Sequence, residues 1–217
     1  ELFGKRSGLV NLWQEIADNV YPERADFTST RFLGSEFASG LMTSYPILAR
    51  RDLGNAFSTM LRPTMKEWFH MAATREDRED NDAKRWLEWA SGVMRRAMYD
   101  RSSLFVRATK EADHDYAGFG QAVLSVELSR NGDSLLYRCW HLRDVAWCEN
   151  AEGKIGSVFR KWKPTARDLM RTFPGKVDKK VMDEAEKTPF MECDCRHMVV
   201  ESDMYDGDWK TPYVSIY

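Results

Sequence analysis

A chain of 217 residues is long enough to bury a real core and fits one domain or two closely packed ones. Its 30% charged and 43% hydrophobic residues are those of a water-soluble globular protein, rich in tryptophan (eight) and phenylalanine (eleven) as packing anchors. The 32 basic and 34 acidic residues leave a net charge of −2, which argues against a dedicated nucleic-acid clamp but not against a protein that DNA merely passes.

No apolar run approaches the ~20 residues that span a bilayer, no signal-peptide pattern opens the chain, and no membrane role is expected. Four cysteines in a chain of this size do not make a secreted disulfide framework and point to a reducing compartment. The sequence begins with Glu1 and ends at Tyr217 inside an expected strand, so a longer polypeptide is expected.

In chain order, Ser7 is placed to cap a first helix with the stripe Leu9, Trp13, Ile16, Ala17 and Val20. Tyr21-Pro22 ends it, because a residue before proline is pushed out of the α region. A short second helix is expected after Ser35, carrying Phe37, Ala38, Leu41, Met42 and Tyr45. Pro46 suits the first turn of a third, faced by Ala49, Leu53, Ala56, Phe57 and Met60 and closed by Arg62-Pro63. Residues 63–71 read as an extended piece bearing Trp68-Phe69, and the mixed-charge run 75–80 as a solvated loop. Asn81 or Asp82 caps the most periodic helix, with Ala83, Trp86, Leu87, Ala90, Val93, Met94, Ala97 and Met98 at 3/4 steps. Ser102 or Ser103 starts a fifth, with Phe105, Ala108, Ala112 and Tyr116 on one face.

Around Gly118-Phe119-Gly120 the hydrophobic period changes from helical to alternating, so a helix is expected to end at Gly118 and a strand to begin near Gln121. Strands over 123–128 and 135–140 flank Asn131-Gly132, a hairpin signal for a type I′ turn with positive φ at both central residues. A second hairpin is expected over 145–148 and 155–162, turning at 150–154 around Gly153. Thr165 caps a short helix that stops at Pro174-Gly175, and Val177, Val181, Met182 and Ala185 mark another. Residues 191–204 and 209–217 read as strands. The fold class is α+β: a helical half over 1–118, packed on a β-rich half over 119–217 of antiparallel hairpins with short helices.

Three constellations carry chemistry on paper. Cys193, Cys195 and His197 share one face of an expected strand, and Cys139 and His141 repeat the spacing, so a zinc cluster across strands is conceivable. Cys-x-Cys on a strand splays its ligands unlike a C-x₂₋₄-C knuckle, so core packing is the preferred reading and no metal is assigned. His114, between Asp113 and Asp115 and near Tyr116, resembles an acid/base group, but neighbours on a helix do not face one another. An exposed histidine is preferred. Arg50, Arg51 and Arg62, or Arg160, Lys161 and Lys163, could touch phosphate, but both sets are small and solvated helix or strand charge is the preferred reading. No phosphate-binding, dinucleotide, nucleophile-elbow or zinc-protease motif occurs, so neither an enzyme nor a cofactor is expected.

The order of motifs resembles the portal, or head-to-tail connecting, protein of short-tailed bacteriophages. Leu12 to Ala17 with Tyr21-Pro22 is similar to the family's first helix and its terminating proline. Met60-Leu61-Arg62-Pro63 followed by Trp68-Phe69 resembles its most recognisable block. The helix from Trp86 to Met98 and then Ser103 to Phe105 takes the next place. Gly118-Phe119-Gly120 through Glu127 resembles the helix-to-strand pivot, and the Gly153 hairpin with Thr165 to Phe173 the segment after it. Trp13, Pro22, Pro63, Trp68, Phe69, Trp86, Gly118, Phe119, Gly120 and Gly153 are therefore the family-motif positions, structural rather than catalytic. Phe119 is expected to wedge between the helices and the sheet.

The resemblance covers most of residues 9–173 and implies the N-terminal, wing portion of a ring of typically twelve copies at one capsid vertex. It implies a conduit for double-stranded DNA in packaging and ejection. The implied partners are the major capsid protein, scaffolding protein, terminase large subunit, and head–tail adaptor and tail proteins. Assembly in the host cytoplasm and residence in the virion follow from the same resemblance. Another virion assembly protein, or a small zinc-dependent enzyme, are the other readings.

Overall fold

A computed structural model describes residues 1–32, 34–36, 38, 40–63, 66–73, 80–207 and 210–217. Phe37, Thr64, Met65, the 75–79 part of the charged run and Trp209 lie outside the described residues. The architecture is α+β, with helices leading and antiparallel strands following. Two compact units form, one of Gly8–Trp140 and one in which Glu1–Ser7 joins His141–Tyr217. The first hairpin thus belongs with the helices.

In the helical unit, α2 (Ser7–Val20) buries Trp13 and Ala17; α1 (Leu2–Lys5) precedes it in the other unit. Pro22 opens a 3₁₀ turn over Pro22–Arg24, and the chain folds back along α2. Gln14 holds the return: its amide donates to the Ala25 carbonyl at 3.1 Å and its side-chain oxygen accepts from the Phe27 and Thr28 N–H groups. Phe27 thereby meets Trp13 at a ring separation of 5.6 Å.

The helix expected after Ser35 is not formed by the described residues. They make isolated turns, Ser35 N–H to Phe32 and Leu41 N–H to Ala38, and Ala38 lies at φ 65°. Met42, one of the apolar residues of the expected face, is fully exposed, and so short a helix is marginal without packing.

Next comes α3 (Tyr45–Leu61), with Pro46 in its first turn. The cap of α4 (Asn81–Tyr99) is Asp80, one residue before the expected position, whose carboxylate accepts from the Ala83 N–H at 2.7 Å. Leu104 then adopts a left-handed conformation, and α5 (Phe105–Phe119) begins after it instead of at Ser102 or Ser103. Ser103 is fully buried and spans the corner, donating to the Asp100 carbonyl at 2.8 Å and accepting from the Phe105 N–H. At its far end α5 runs through Gly118 to Phe119. Gly120, at φ 70° and ψ 6°, turns the chain while its N–H bonds to the Tyr116 carbonyl.

Strands β1 (Val123–Leu128) and β2 (Leu135–Trp140) pair antiparallel as their own two-stranded sheet. The connection differs from a type I′ turn. Gly132 donates to the Ser129 carbonyl and takes φ 73°, but Asn131 does not share the positive φ. Four residues between Ser129 and Ser134, closed by the Ser129 N–H to Ser134 bond at 2.7 Å, need left-handed backbone only once.

The other unit is a meander of β3 (Val145–Glu149), β4 (Ile155–Trp162), β5 (Cys195–Glu201) and β6 (Tyr213–Ile216), in that spatial order. Helices α6 (Ala166–Thr172) and α7 (Lys179–Lys187) sit between β4 and β5 in sequence, capped by Thr165 and Asp178. The expected strand over 191–204 shortens at both ends. Glu192 only bridges Thr165, and the Cys193 N–H bonds to the Pro164 carbonyl. Arg6 ties the first residues in, donating to the carbonyls of Leu142 at 3.0 Å, Arg143 at 2.6 Å, and Val145.

Candidate functional site

Asp113-His114-Asp115 occupies the middle of α5. Successive helical side chains leave the axis about 100° apart, and here each of the three meets an arginine. Asp113 pairs with Arg62, the residue that closes α3. The His114 ring nitrogen Nδ1 accepts from Arg50 of α3 at 3.1 Å. Asp115, 1% exposed, takes a two-pronged contact from Arg24, Nε to Oδ1 at 3.0 Å and a terminal nitrogen to Oδ2 at 3.1 Å. Three neighbouring residues thus fix α5 to α3 at two points and to the turn after α2 at a third.

The surroundings make this a permanent clamp. Arg50 is itself buried, lying 3.8 Å over the Tyr21 ring and 3.9 Å from Glu23. Tyr21 stacks on Phe119 at 6.0 Å, and Phe119 meets Phe27 edge-on at 5.2 Å. Burial works against the Arg24 charge, but the adjacent Asp115 carboxylate outweighs it and raises the Arg24 pKa. Burial, then the Arg50 and Lys110 charges, lower that of His114. Arg50 can only donate, so the neutral ring carries its proton on Nε2. His114 is therefore half-buried and engaged, which corrects the expectation of an exposed histidine. Gly54 of α3 makes the approach possible, since a Cβ there would collide with the His114 ring.

None of this resembles an active site. Among the described residues the hydrogen-bond partner of His114 is Arg50, not a hydroxyl or thiol. The Cys139 thiol lies 3.6 Å from Asp115 Oδ2, and burial, reinforced by that carboxylate, pushes its pKa up to about 12. A thiol so firmly protonated is a poor nucleophile near neutrality.

Of the other cysteine/histidine candidates, Cys195 and His197 lie on β5 and Cys193 precedes it. His197 stacks on Tyr217 at 4.1 Å and bonds Ser215 at 2.9 Å; burial and the Arg160 charge lower its pKa to about 4. Among the described residues no three His, Cys, Asp or Glu side chains converge on a metal position.

The basic residues are largely occupied within the chain. Arg50 and Arg62 belong to the clamp, Arg51 pairs with Asp52, Arg160 is buried, Lys161 lies 4.1 Å over the Phe3 ring, and Lys163 is 3.5 Å from Asp194.

Some of the motif residues lie beside the clamp and others away from it. Trp13 is buried on α2, and Pro22 is the buried first residue of the turn that carries Arg24. Pro63 follows Arg62. Trp68 stacks at 6.4 Å on Phe105, contacts Phe69 at 4.7 Å, and donates to the Tyr99 hydroxyl at 3.1 Å. Gly118 lies beside Tyr21 and Arg50. In the other unit, Gly153 turns the β3–β4 hairpin. Trp86 stands apart: it is 58% exposed on α4.

Sequence reasoning missed the clamp itself. Arg50, Arg62, Asp113 and Asp115 were each visible, but three consecutive polar residues on a helix read as a solvated face.

No curated protein matches the chain closely enough to count as a relative. The family model described as bacteriophage head to tail connecting protein matches residues 1–217, the whole chain. That family is structural and not enzymatic, and its members join components of the phage head and tail in the virion. A clamp that fixes helices and offers no reacting group is what such a joining piece requires, and the chain belongs to the bacteriophage head to tail connecting protein family.

Proposed function

We propose that copies of this chain assemble side by side into a closed ring, of about twelve by family resemblance, at one capsid vertex. The ring is the conduit through which double-stranded DNA enters during packaging and leaves on ejection. The described chain supplies its wing, with 1–118 as the helical part and 119–217 as the β-rich part. Terminase large subunit, major capsid protein, scaffolding protein and head–tail adaptor or tail proteins are its partners, and the ten motif positions hold the wing's own fold.

What supports the assembly reading is the match of the whole chain to a family of head to tail connecting proteins, together with large apolar side chains left in solvent, among them Trp86, Trp89, Val126 and Leu128. The net charge of −2 supports the conduit, since a strongly basic wall would hold duplex DNA by counterion release.

Negative-stain imaging and native mass measurement of the purified connector test the reading. Rings of one stoichiometry are expected; monomers at micromolar concentration in every salt would refute it.

A further inference from the structure

Two apolar surfaces of the helical unit are left open in a single copy. The first is on α4. Leu87, Ala90 and Met98 turn inward, whereas Trp86, Trp89 and Val93, at i, i+3 and i+7, form a second ridge beside them. Trp86 and Trp89 are 58% and 61% exposed. At up to ~250 Å² per indole, that leaves about 300 Å² of open aromatic surface on two residues.

The second surface is on β1, where Leu124, Val126 and Leu128 are 44%, 56% and 68% exposed. They lie directly opposite Cys139, Tyr137 and Leu135 of β2, and opposite residues share a face. Cys139 contacts Asp115, and Tyr137 meets Phe105 edge-on at 5.0 Å. This is therefore the face that α5 covers. Because α5 packs chiefly on β2, the β1 half of the face stays open as a shelf.

The two surfaces match. With strands about 4.8 Å apart and helices about 10 Å across, a second helix packed beside α5 lies along the free edge of β1 and reaches the β1 side chains from there. At 1.5 Å per residue the ridge from Trp86 to Val93 is about 10 Å long, and the shelf from Leu124 to Leu128 is about 14 Å at 3.4 Å per residue. Both are open in the same unit, so one copy does not cover its own shelf with its own ridge. In a row of copies each could cover the next, the head-to-tail contact that generates rings.

We propose that the α4 ridge of Trp86, Trp89 and Val93 in one copy docks on the β1 shelf of Leu124, Val126 and Leu128 in the next. This deepens the ring reading and rests on it. Val126→Glu and Trp89→Lys, made separately in the connector, place a charge at the centre of each surface. Each is expected to cut the ring fraction at least about tenfold, at a concentration where the unsubstituted protein is fully assembled. The double variant, with attracting charges across the contact, recovers part of it.

Cysteine trapping tests the same contact independently of folding losses. Trp89→Cys mixed with Val126→Cys under mild oxidation gives a crosslinked dimer, and neither alone exceeds the unsubstituted background. Rings at the unsubstituted yield from both charged variants, or a crosslink from Trp89→Cys alone, would overturn the interface and leave the ring intact. Absence of rings from the unsubstituted connector overturns the ring reading and the interface with it.

Discussion

Two helices of the helical unit, α4 and α5, invert each other. The cleaner apolar period belongs to α4, yet the helix leaves Trp86 and Trp89 in solvent. The weaker pattern belongs to α5, which carries three polar residues in a row and buries two of them, Asp113 and Asp115. Amphipathicity identifies which face avoids water. It does not say whether the same chain provides the cover, and a polar run can be an internal face when each charge has its own partner.

Four substitutions sharpen the contrast. Asp115→Ala leaves Arg24 as an uncompensated cation in a mostly buried position, and should cost about 3–5 kcal/mol, read as a loss of denaturation midpoint. An unchanged midpoint would mean that solvent reaches Arg24. Phe119→Ala, at the end of the same helix, removes a ring lodged against Tyr21 and Phe27 and should cost about 3 kcal/mol, with no chemical activity to lose.

Gly54→Ala forces a methyl group onto the His114 ring and should cost about 1–3 kcal/mol by the same measurement. On α4, Trp86→Ala should change the stability of an isolated copy by less than ~0.5 kcal/mol. If its melting temperature falls as far as that of Phe119→Ala, α4 is covered by its own chain and the contrast is gone.

Acid separates the helices in another way. The His114 pKa is lowered in the fold, so between that value and about pH 6.5 the unfolded chain binds the proton more readily. The associated stability is complete above pH 6.5 and is lost as pH falls through the folded value. Chemical denaturation over pH 7.5 to 4.5 should show this slope in the unsubstituted protein and a shallower one in His114→Gln. No such slope should arise from α4, which carries no histidine.

Much of the backbone was legible in the residues. The spans of β1 and β2, the Thr165 cap, the Gly153 turn and the Pro46 helix start all follow from local chemistry, where a proline, a cap or an alternating run acts within a few residues. What was not legible depends on distant partners. Nothing within ten residues of Asp115 announces Arg24, and nothing near Ser103 says that Leu104 will be left-handed. The division of the strands into two sheets was equally hidden, because it depends on which faces α5 reaches. Among the described residues the helix expected after Ser35 is not formed, and so short an amphipathic pattern is marginal by its own propensity.

The hold of Arg6 on the carbonyls of Leu142, Arg143 and Val145 has a consequence for synthesis. The first seven residues belong to a unit whose remainder begins at His141, so they leave the ribosome long before their partners exist. The helical unit, contiguous from Gly8 to Trp140, can close while translation continues. The leading segment must wait, and the final step is a ring closure across more than a hundred residues, whose entropic cost rises only logarithmically with loop length. Once the intervening unit has folded, its two ends are no longer free to wander, and that search becomes a local one.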